Sequence, residues 1–207
     1  MHILLVRHGQ STNNVIEAAL GDCPEFYQRR SADPPLSPLG ERQALALARH
    51  LGLQLQESAS EGRVRMECSS MLRAMQTAAP LAAALGLRPL VRPDCVERCA
   101  FFTVDANGQQ VAQPGPTSGA VLRSFPTYDI SQLSSTALPT LETVADAHVR
   151  AAKVAGELQL QAASGVGVEL LVLVAHADFI GLLSRALLGG SSTVTTADES
   201  VQSAQTS

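Results

Sequence analysis

Ile3-Leu4-Leu5-Val6 runs straight into Arg7-His8, and this short stretch decides the architecture. Four consecutive apolar residues rich in branched side chains make the pattern of a strand buried on both faces of a parallel sheet, and the strand ends in a polar, cationic loop. No basic flank precedes the run and no small-residue cleavage site follows it, so it reads as a strand and not as a signal peptide. The same pattern returns three times. Val64 to Cys68 reads as a second strand, Leu90-Val91 as a weaker third, and Leu170 to Ala175 as the strongest in the chain. Helices are expected between them. Ser37 caps and Pro38 opens one with an apolar face of Leu45, Leu47, Ala48 and Leu51, which Gly52 stops. Ser69-Ser70 begins another that runs to Leu85 and ends at Gly86, with Pro80 bending or splitting it. Thr140 caps a third through Val144, Ala147, Val154 and Leu158, and the last covers Phe179 to Leu188, closed by Gly189-Gly190. Strands alternating with helices predict an α/β three-layer sandwich, a mostly parallel central sheet with helices on both faces.

The composition narrows the function classes. The 207 residues suit a single domain. Residues 1–190 are expected to form it, with 98–138 as a long insertion over the active site and 191–207, mostly Ser, Thr, Ala and Gln, as a disordered tail. Hydrophobic residues at 45% against 16% charged supply enough apolar surface to offset ordering entropy, which excludes disorder throughout. Fifteen Lys+Arg against nineteen Asp+Glu leave a net charge of −4, so nucleic-acid binding through phosphate neutralisation is not expected. The most apolar stretch, Val168 to Ala175, is broken at His176 and Asp178, well short of the ~18 residues of a membrane span. A cytoplasmic protein is expected, without nucleic-acid or membrane partners. Cys23, Cys68, Cys95 and Cys99 fit neither a CxxC pair nor a zinc spacing and read as free thiols of a reducing compartment.

In parallel sheets ligands bind beyond the carboxyl ends of the strands, and Arg7-His8, Arg73, Glu97 and His176 all follow predicted strands. Two histidines, two arginines and one carboxylate at one edge suit a phosphate monoester dianion. Arginine offers a planar fork of donors to phosphate oxygens, and a neutral imidazole can attack phosphorus. A carboxylic acid can protonate the departing alkoxide and then activate water. This chemistry needs no metal and no cofactor.

The run from Leu5 to Asn14, Leu-Val-Arg-His-Gly-Gln-Ser-Thr-Asn-Asn, resembles the RHG signature of the histidine phosphatase superfamily, the phosphoglycerate mutase-like proteins. Asp33 to Ala44 is similar to the family's D-x-P-L-[ST]-x-x-G-x-x-Q-A segment, Ser69 to Ala78 to its S-x-x-x-R-A-x-Q-T-A helix start, and Val174 to Ile180 to its second-histidine turn. These four ordered motifs lie between residues 3 and 188. The resemblance implies a phosphoglycerate mutase-like fold, with His8 as the phosphorylated nucleophile and Arg7, Arg73 and His176 on the phosphoryl group. It also implies that Asn14 contacts that group and that Glu97 is the general acid, with Glu17, Glu25 and Asp178 as local competitors. Three departures stand out. Ala177 and Cys99-Ala100 occupy positions where relatives carry glycine, and the chain passes from Gly190 into a low-complexity tail where the family adds another strand.

Other polar residues read as structural. His2 suits a frayed terminus, His50 the last turn of a helix, His148 a mid-helix position, and Glu142 and Arg150 a helix start and its surroundings. Arg29-Arg30 near Tyr27 reads as a solvated face or as substrate recognition at the pocket rim. The sequence thus leads to a metal-independent phosphatase acting on a phosphorylated small molecule or phosphoprotein through a phosphohistidine on His8. The rivals are a phosphoglycerate mutase-type phosphoryl transfer and a weakly active phospho-ligand-binding regulatory protein.

Overall fold

The computed structural model describes residues 1–136, 141–165 and 167–189. Its centre is a parallel sheet of β1 (His2–Arg7), β2 (Val64–Ser69), β3 (Leu90–Arg92) and β6 (Leu170–Ala175), in the order β1-β6-β2-β3. Alternation along β6 shows how two faces are filled. Val172 and Val174 pack with α3 (Pro38–Ser60) and α4 (Leu72–Leu85), whereas Leu171, Leu173 and Ala175 pack with α6 (Val144–Ala163) and α7 (Ala177–Leu187). The expected three-layer sandwich with helices on both faces is therefore the observed one. β1 is not buried on both faces as its pattern suggests. Ile3 to Val6 are only half-buried, because β1 pairs with β6 alone and forms an edge of the described sheet.

Several elements differ from their sequence expectation, each for a tertiary reason. Gly52 does not stop α3, which continues to Ser60. It is buried where α3 meets α4, and a Cβ there would lie 3.4 Å from the Ala84 methyl group, so its use is close helix packing. His50 accordingly lies mid-helix. Pro80 does not split α4. Its missing N–H and ring clash cost on the order of 3 kcal/mol, but Ala78 and Leu81, fully buried on either side of it, hold the helix in place. α4 starts at Leu72 with Met71 as its cap, two residues after Ser69-Ser70. α6 is capped by Thr143, which forms a capping box with Asp146, so Glu142 lies outside that helix. Thr140 is outside the described residues, as are residues 190–207, the expected tail. His2 is part of β1, its N–H donating to Glu169 O.

Two short helices, α1 (Thr12–Leu20) and α2 (Pro24–Arg29), follow β1 where the sequence reading has only a polar loop. The segment after Arg98 is also more ordered than its composition suggests. It contains an antiparallel hairpin of β4 (Phe102–Val104) and β5 (Gln110–Ala112), then α5 (Ser118–Ser124). Tyr128 and Val121 from this region enter the core beside α4, with Tyr128 Oη donating to Met75 O at 2.8 Å.

Candidate active site

The four parallel strands deliver their carboxyl ends to one edge, and His8 is the first residue beyond β1. Its N–H continues the ladder to Ala175 O at 3.0 Å. His8 Nδ1 lies 2.7 Å from Gly9 O, and Arg73 Nε donates to Nε2 at 3.1 Å. A carbonyl only accepts and a guanidinium only donates, so the proton sits on Nδ1 and the lone pair on Nε2. Burial, then the charges of Arg73 and Arg7, lower the His8 pKa to about 4 against a hydrogen bond to Gly9 that works the other way. The imidazole is neutral at any ordinary pH.

The loop after His8 is fixed by its contact with the start of α3. A Cβ on Gly9 would stand 2.7 Å from Gly40 O, and one on Gly40 would stand 2.1 Å from Gln10 O, so two backbones meet here with no room for side chains. Ser37 N–H donates to Gln10 O at 2.8 Å, and Gln43 Oε1 accepts Gln10 N–H at 2.8 Å. On its other side, Gly9 N–H donates to Thr77 Oγ1 at 3.0 Å, and that hydroxyl donates to Arg73 O at 2.7 Å. His8 and Arg73 are thus set by one short chain of hydrogen bonds.

His176 caps α7 and is fully buried, its ring centroid 5.1 Å from that of His8. Nε2 is 2.8 Å from Ser69 Oγ, while Nδ1 is buried with no hydrogen-bond partner among the described residues. Burial, then the charges of Arg73 and His8, push its pKa well below the ordinary histidine value. Arg73 itself is 8% exposed. Desolvation draws its pKa down to about 10, opposed by the charges of Asp33 and Glu97. Asp33 Oδ1 accepts Leu72 N–H at 2.9 Å, which places an acid beside this arginine. Arg7 is exposed at the rim, and its charge acts on His8, Arg73 and His176.

Glu97 is held against the amino end of α7. Its Oε1 accepts Phe179 N–H and Arg98 N–H, both at 3.0 Å, and Oε2 accepts Asp178 N–H at 3.3 Å. Burial raises its pKa, and the three backbone donors only partly offset this. The loop beyond it turns through Cys99 at φ 61° and Ala100 at φ 36°, two L-residues in the left-handed region that favours glycine. Backbone strain therefore sits beside the candidate acid. Ala177, by contrast, is an ordinary first helical residue of α7.

The remaining candidates make contacts of their own. Asn14 Oδ1 closes the capping box of α1 on Ser11. Glu25 pairs with Arg29 at 2.7 Å in the open, Asp178 with Arg98 at 3.2 Å, and Glu17 is exposed on α1. Arg150 and Glu142 form a short ion pair, and Arg150 also donates to Asp94 O and Val96 O, tying α6 to the segment that carries Glu97. Ser69, Thr77, Asp33 and Asn13 are positioning residues that sequence reading passed over. The contacts that give them this role, Ser69 with His176, Thr77 with Gly9, Asp33 with Leu72 and Asn13 with Ser31, span 18 to 107 residues, and the motifs that contain these residues do not show them. Among the described residues no group of three or more His, Cys, Asp or Glu side chains is placed to hold a metal ion. No described helix is long and apolar enough to cross a membrane, and the four cysteines are free.

Solved structures share this architecture. The structure of the mycobacterial glucosyl-3-phosphoglycerate phosphatase complexed with VO3 superposes with a TM-score of 0.53 at 25% identity, over 90% of this chain and 80% of that one. The ecdysone phosphate phosphatase from Bombix mori, complexed with tungstate, gives 0.62 at 14% identity over 93% and 79%. A putative alpha-ribazole-5'-P phosphatase from Escherichia coli gives 0.55 at 20% identity over 91% and 80%. These last two share the fold. No curated protein matches the chain in sequence. The sequence profile of the histidine phosphatase superfamily (branch 1) matches residues 3–198, a span that holds every residue of the cluster around His8, and the chain belongs to that superfamily.

Proposed function

We propose that the chain is a phosphatase that hydrolyses phosphate monoesters through a phosphohistidine on His8. The observation that carries this reading is the hydrogen-bonding of the His8 ring, with Nδ1–H on Gly9 O and a lone pair at Nε2 beside the buried Arg73. A neutral nucleophile next to a desolvated cation suits an incoming dianion. The phosphoryl oxygens take the guanidinium of Arg73, with Arg7 at the rim and the free ring nitrogen of His176 as further donors. Nε2 then attacks phosphorus in line, the ester P–O bond breaks, and the proton held by Glu97 passes to the departing alkoxide oxygen.

In the second half the Glu97 carboxylate takes a proton from water, and the water oxygen attacks phosphorus. The P–N bond breaks, its electron pair returns to Nε2, and inorganic phosphate leaves with Glu97 protonated again. Oε2 is the oxygen suited to carry that proton, since it has one backbone contact at 3.3 Å where Oε1 has two at 3.0 Å. The mycobacterial phosphatase at 25% identity supports the hydrolytic outcome, and the substrate of this chain is a phosphorylated small molecule or phosphoprotein.

The test is phosphate release from a panel of phosphomonoesters in excess chelator, beside acid-quenched trapping of radiolabelled phosphoenzyme. Turnover and label should both be present in the wild type and absent in His8→Ala. Turnover that survives in that variant would overturn the reading. Transfer of the label to a second hydroxyl of the substrate, without release, would identify a mutase.

A further inference from the structure

Every nitrogen of the Arg150 guanidinium is engaged, although the proposed reaction makes no use of it. From the second turn of α6, Nε and Nη2 donate to the two carboxyl oxygens of Glu142, both at 2.6 Å, and Nη1 donates to Asp94 O at 3.0 Å and to Val96 O at 2.9 Å. The first contact is a two-pronged ion pair that fixes the guanidinium plane. The second grips the backbone immediately before Glu97. The same guanidinium lies over the ring of Phe179, 4.9 Å from its centroid, and Phe179 is the fully buried residue whose N–H donates to Glu97 Oε1 at 3.0 Å. Arg150 thus touches both the segment that carries the acid and the residue that holds its carboxyl.

The other end of the loop is held from the same place. Cys99 Sγ lies 3.8 Å from Glu142 O, as donor to that carbonyl, so Glu142 and Arg150 clasp residues 94–99 before and after Glu97. With Cys99 and Ala100 at positive φ, this loop is in a strained conformation that persists only where its surroundings over-determine it. A general acid must stand within hydrogen-bond reach of the leaving oxygen, and a small displacement forfeits the proton transfer. Building on the phosphatase reading, we infer that Arg150 is a positioning residue for Glu97, fixing the carboxyl through the Val96 carbonyl on one side and the Phe179 ring on the other. It acts through Glu97 and not on the substrate. The charges that act on Glu97, Asp178 from α7 and Arg73 from α4, stand outside the clasp.

Arg150→Met tests this on two radiolabelled esters that differ in their need for an acid, ethyl phosphate and 4-nitrophenyl phosphate. Phosphoenzyme formation in a single turnover should slow about tenfold with the alkyl ester, part of the roughly 10²–10⁴ that a placed acid supplies. It should change less than about twofold with the nitrophenyl ester, whose leaving group departs without a proton, and the half-saturating concentration of either ester should move less than about twofold. In a Glu97→Gln background the substitution should add nothing. Equal slowing of both esters, or an effect that persists without Glu97, would show that Arg150 only braces the fold and would overturn the assignment. The charge of Arg150 also acts on His176. Arg150→Lys keeps that charge but offers a single nitrogen and no plane, so it should recover only part of the loss, and complete recovery would mean that charge and not grip is responsible. Thermal unfolding checks that Arg150→Met folds. If it does not, Glu142→Gln, which loosens the anchor and leaves the guanidinium in place, should slow the alkyl ester selectively by about threefold, and no selectivity there would overturn the assignment. A ¹³C NMR titration of the Glu97 carboxyl reads the clasp without turnover. Its pKa, raised by burial, should fall toward the ordinary carboxylate value in Arg150→Met, and an unchanged titration would count against the clasp. Failure of the wild type to form phosphoenzyme from either ester would sink the phosphatase reading, while the titration would still decide whether Arg150 places Glu97.

Discussion

Two arginines are buried in this molecule, and they are buried in opposite ways. Arg92, 1% exposed, ends β3 and is surrounded by acids: Glu67 at 3.3 Å, Asp94 at 2.8 Å and Glu157 at 2.7 Å. Burial works against its charge, but the Asp94 hydrogen bonds and the nearby acids outweigh it and hold the guanidinium above its ordinary value. Arg73 faces an imidazole nitrogen instead, with Asp33 and Glu97 acting only through space, and desolvation wins. The first arginine is satisfied by the protein, and the second is left to be satisfied by something else. A buried charge without its partners is where a ligand's charge is worth most.

The contrast can be broken first at Arg92. Arg92→Met should destabilise the fold by about 3–5 kcal/mol, because Glu67 stays buried with only the partly exposed Arg65 for company. Chemical denaturation reads this, and Glu67→Gln in the same chain should recover most of it by neutralising the stranded acid. Turnover per folded molecule should stay within about threefold of wild type. At Arg73 the expected pattern reverses. Arg73→Gln should cost about 10²–10³ in kcat/KM, roughly 2.7–4 kcal/mol, and leave stability unchanged or improved. Inorganic phosphate should raise the melting temperature of the wild type and lose that effect in the variant. A stability loss at Arg73 equal to that at Arg92 would erase the distinction.

How much of this was legible in the sequence follows from the range of the interactions involved. β1 and β6 show as apolar runs, and His8, Arg73, Glu97 and His176 lie just beyond strand ends, so the edge that holds the candidate site can be read locally. Gly52 and Pro80 mislead because their local rules lose to helix packing, Gly52 against Ala84 and Pro80 between buried neighbours. α1 is hidden by a capping box that uses Asn14 where Glu or Gln is usual. The β4–β5 hairpin does carry a turn signal, Asn107-Gly108 between short apolar runs, that composition alone masks. The Asn13–Ser31 clamp and the Ser69–His176 contact, 107 residues apart in the second case, have no local signature at all.

The pH dependence sharpens the comparison inside the site, where one group must be neutral base and another neutral acid. His8 is lowered to about 4, so the free protein should keep an unprotonated Nε2 and a protonated Nδ1 down to that pH, as ¹⁵N NMR would report. Activity that needs the neutral ring falls as pH drops through that value. Glu97 is raised, and as a general acid it must be protonated, so turnover of substrates with poor leaving groups falls about tenfold per unit as pH rises past its pKa, above the ordinary carboxylate range. Glu97→Gln should abolish that alkaline limb. A limb that persists in the variant would move the acid role to another group, Asp178 first.

The smallest effect expected is at Ser69, and it separates positioning from contact. The hydroxyl meets His176 Nε2 and also accepts Met71 N–H at 3.2 Å, so it orients the imidazole while helping to start α4. Ser69→Ala removes an orienting hydrogen bond and leaves His176 in its buried place, a loss of about 0.5–1.5 kcal/mol, which is roughly twofold to thirteenfold in kcat. Because Ser69 acts through His176, its removal should add nothing further in a His176→Ala background, where the ring it orients is gone. An effect as large as that of Arg73→Gln, or one that persists without His176, would mean that the serine hydroxyl itself touches the phosphoryl group. The cations and the imidazoles would then be sharing the anion with a neutral donor, and the contrast between satisfied and unsatisfied arginines would no longer account for the site by itself.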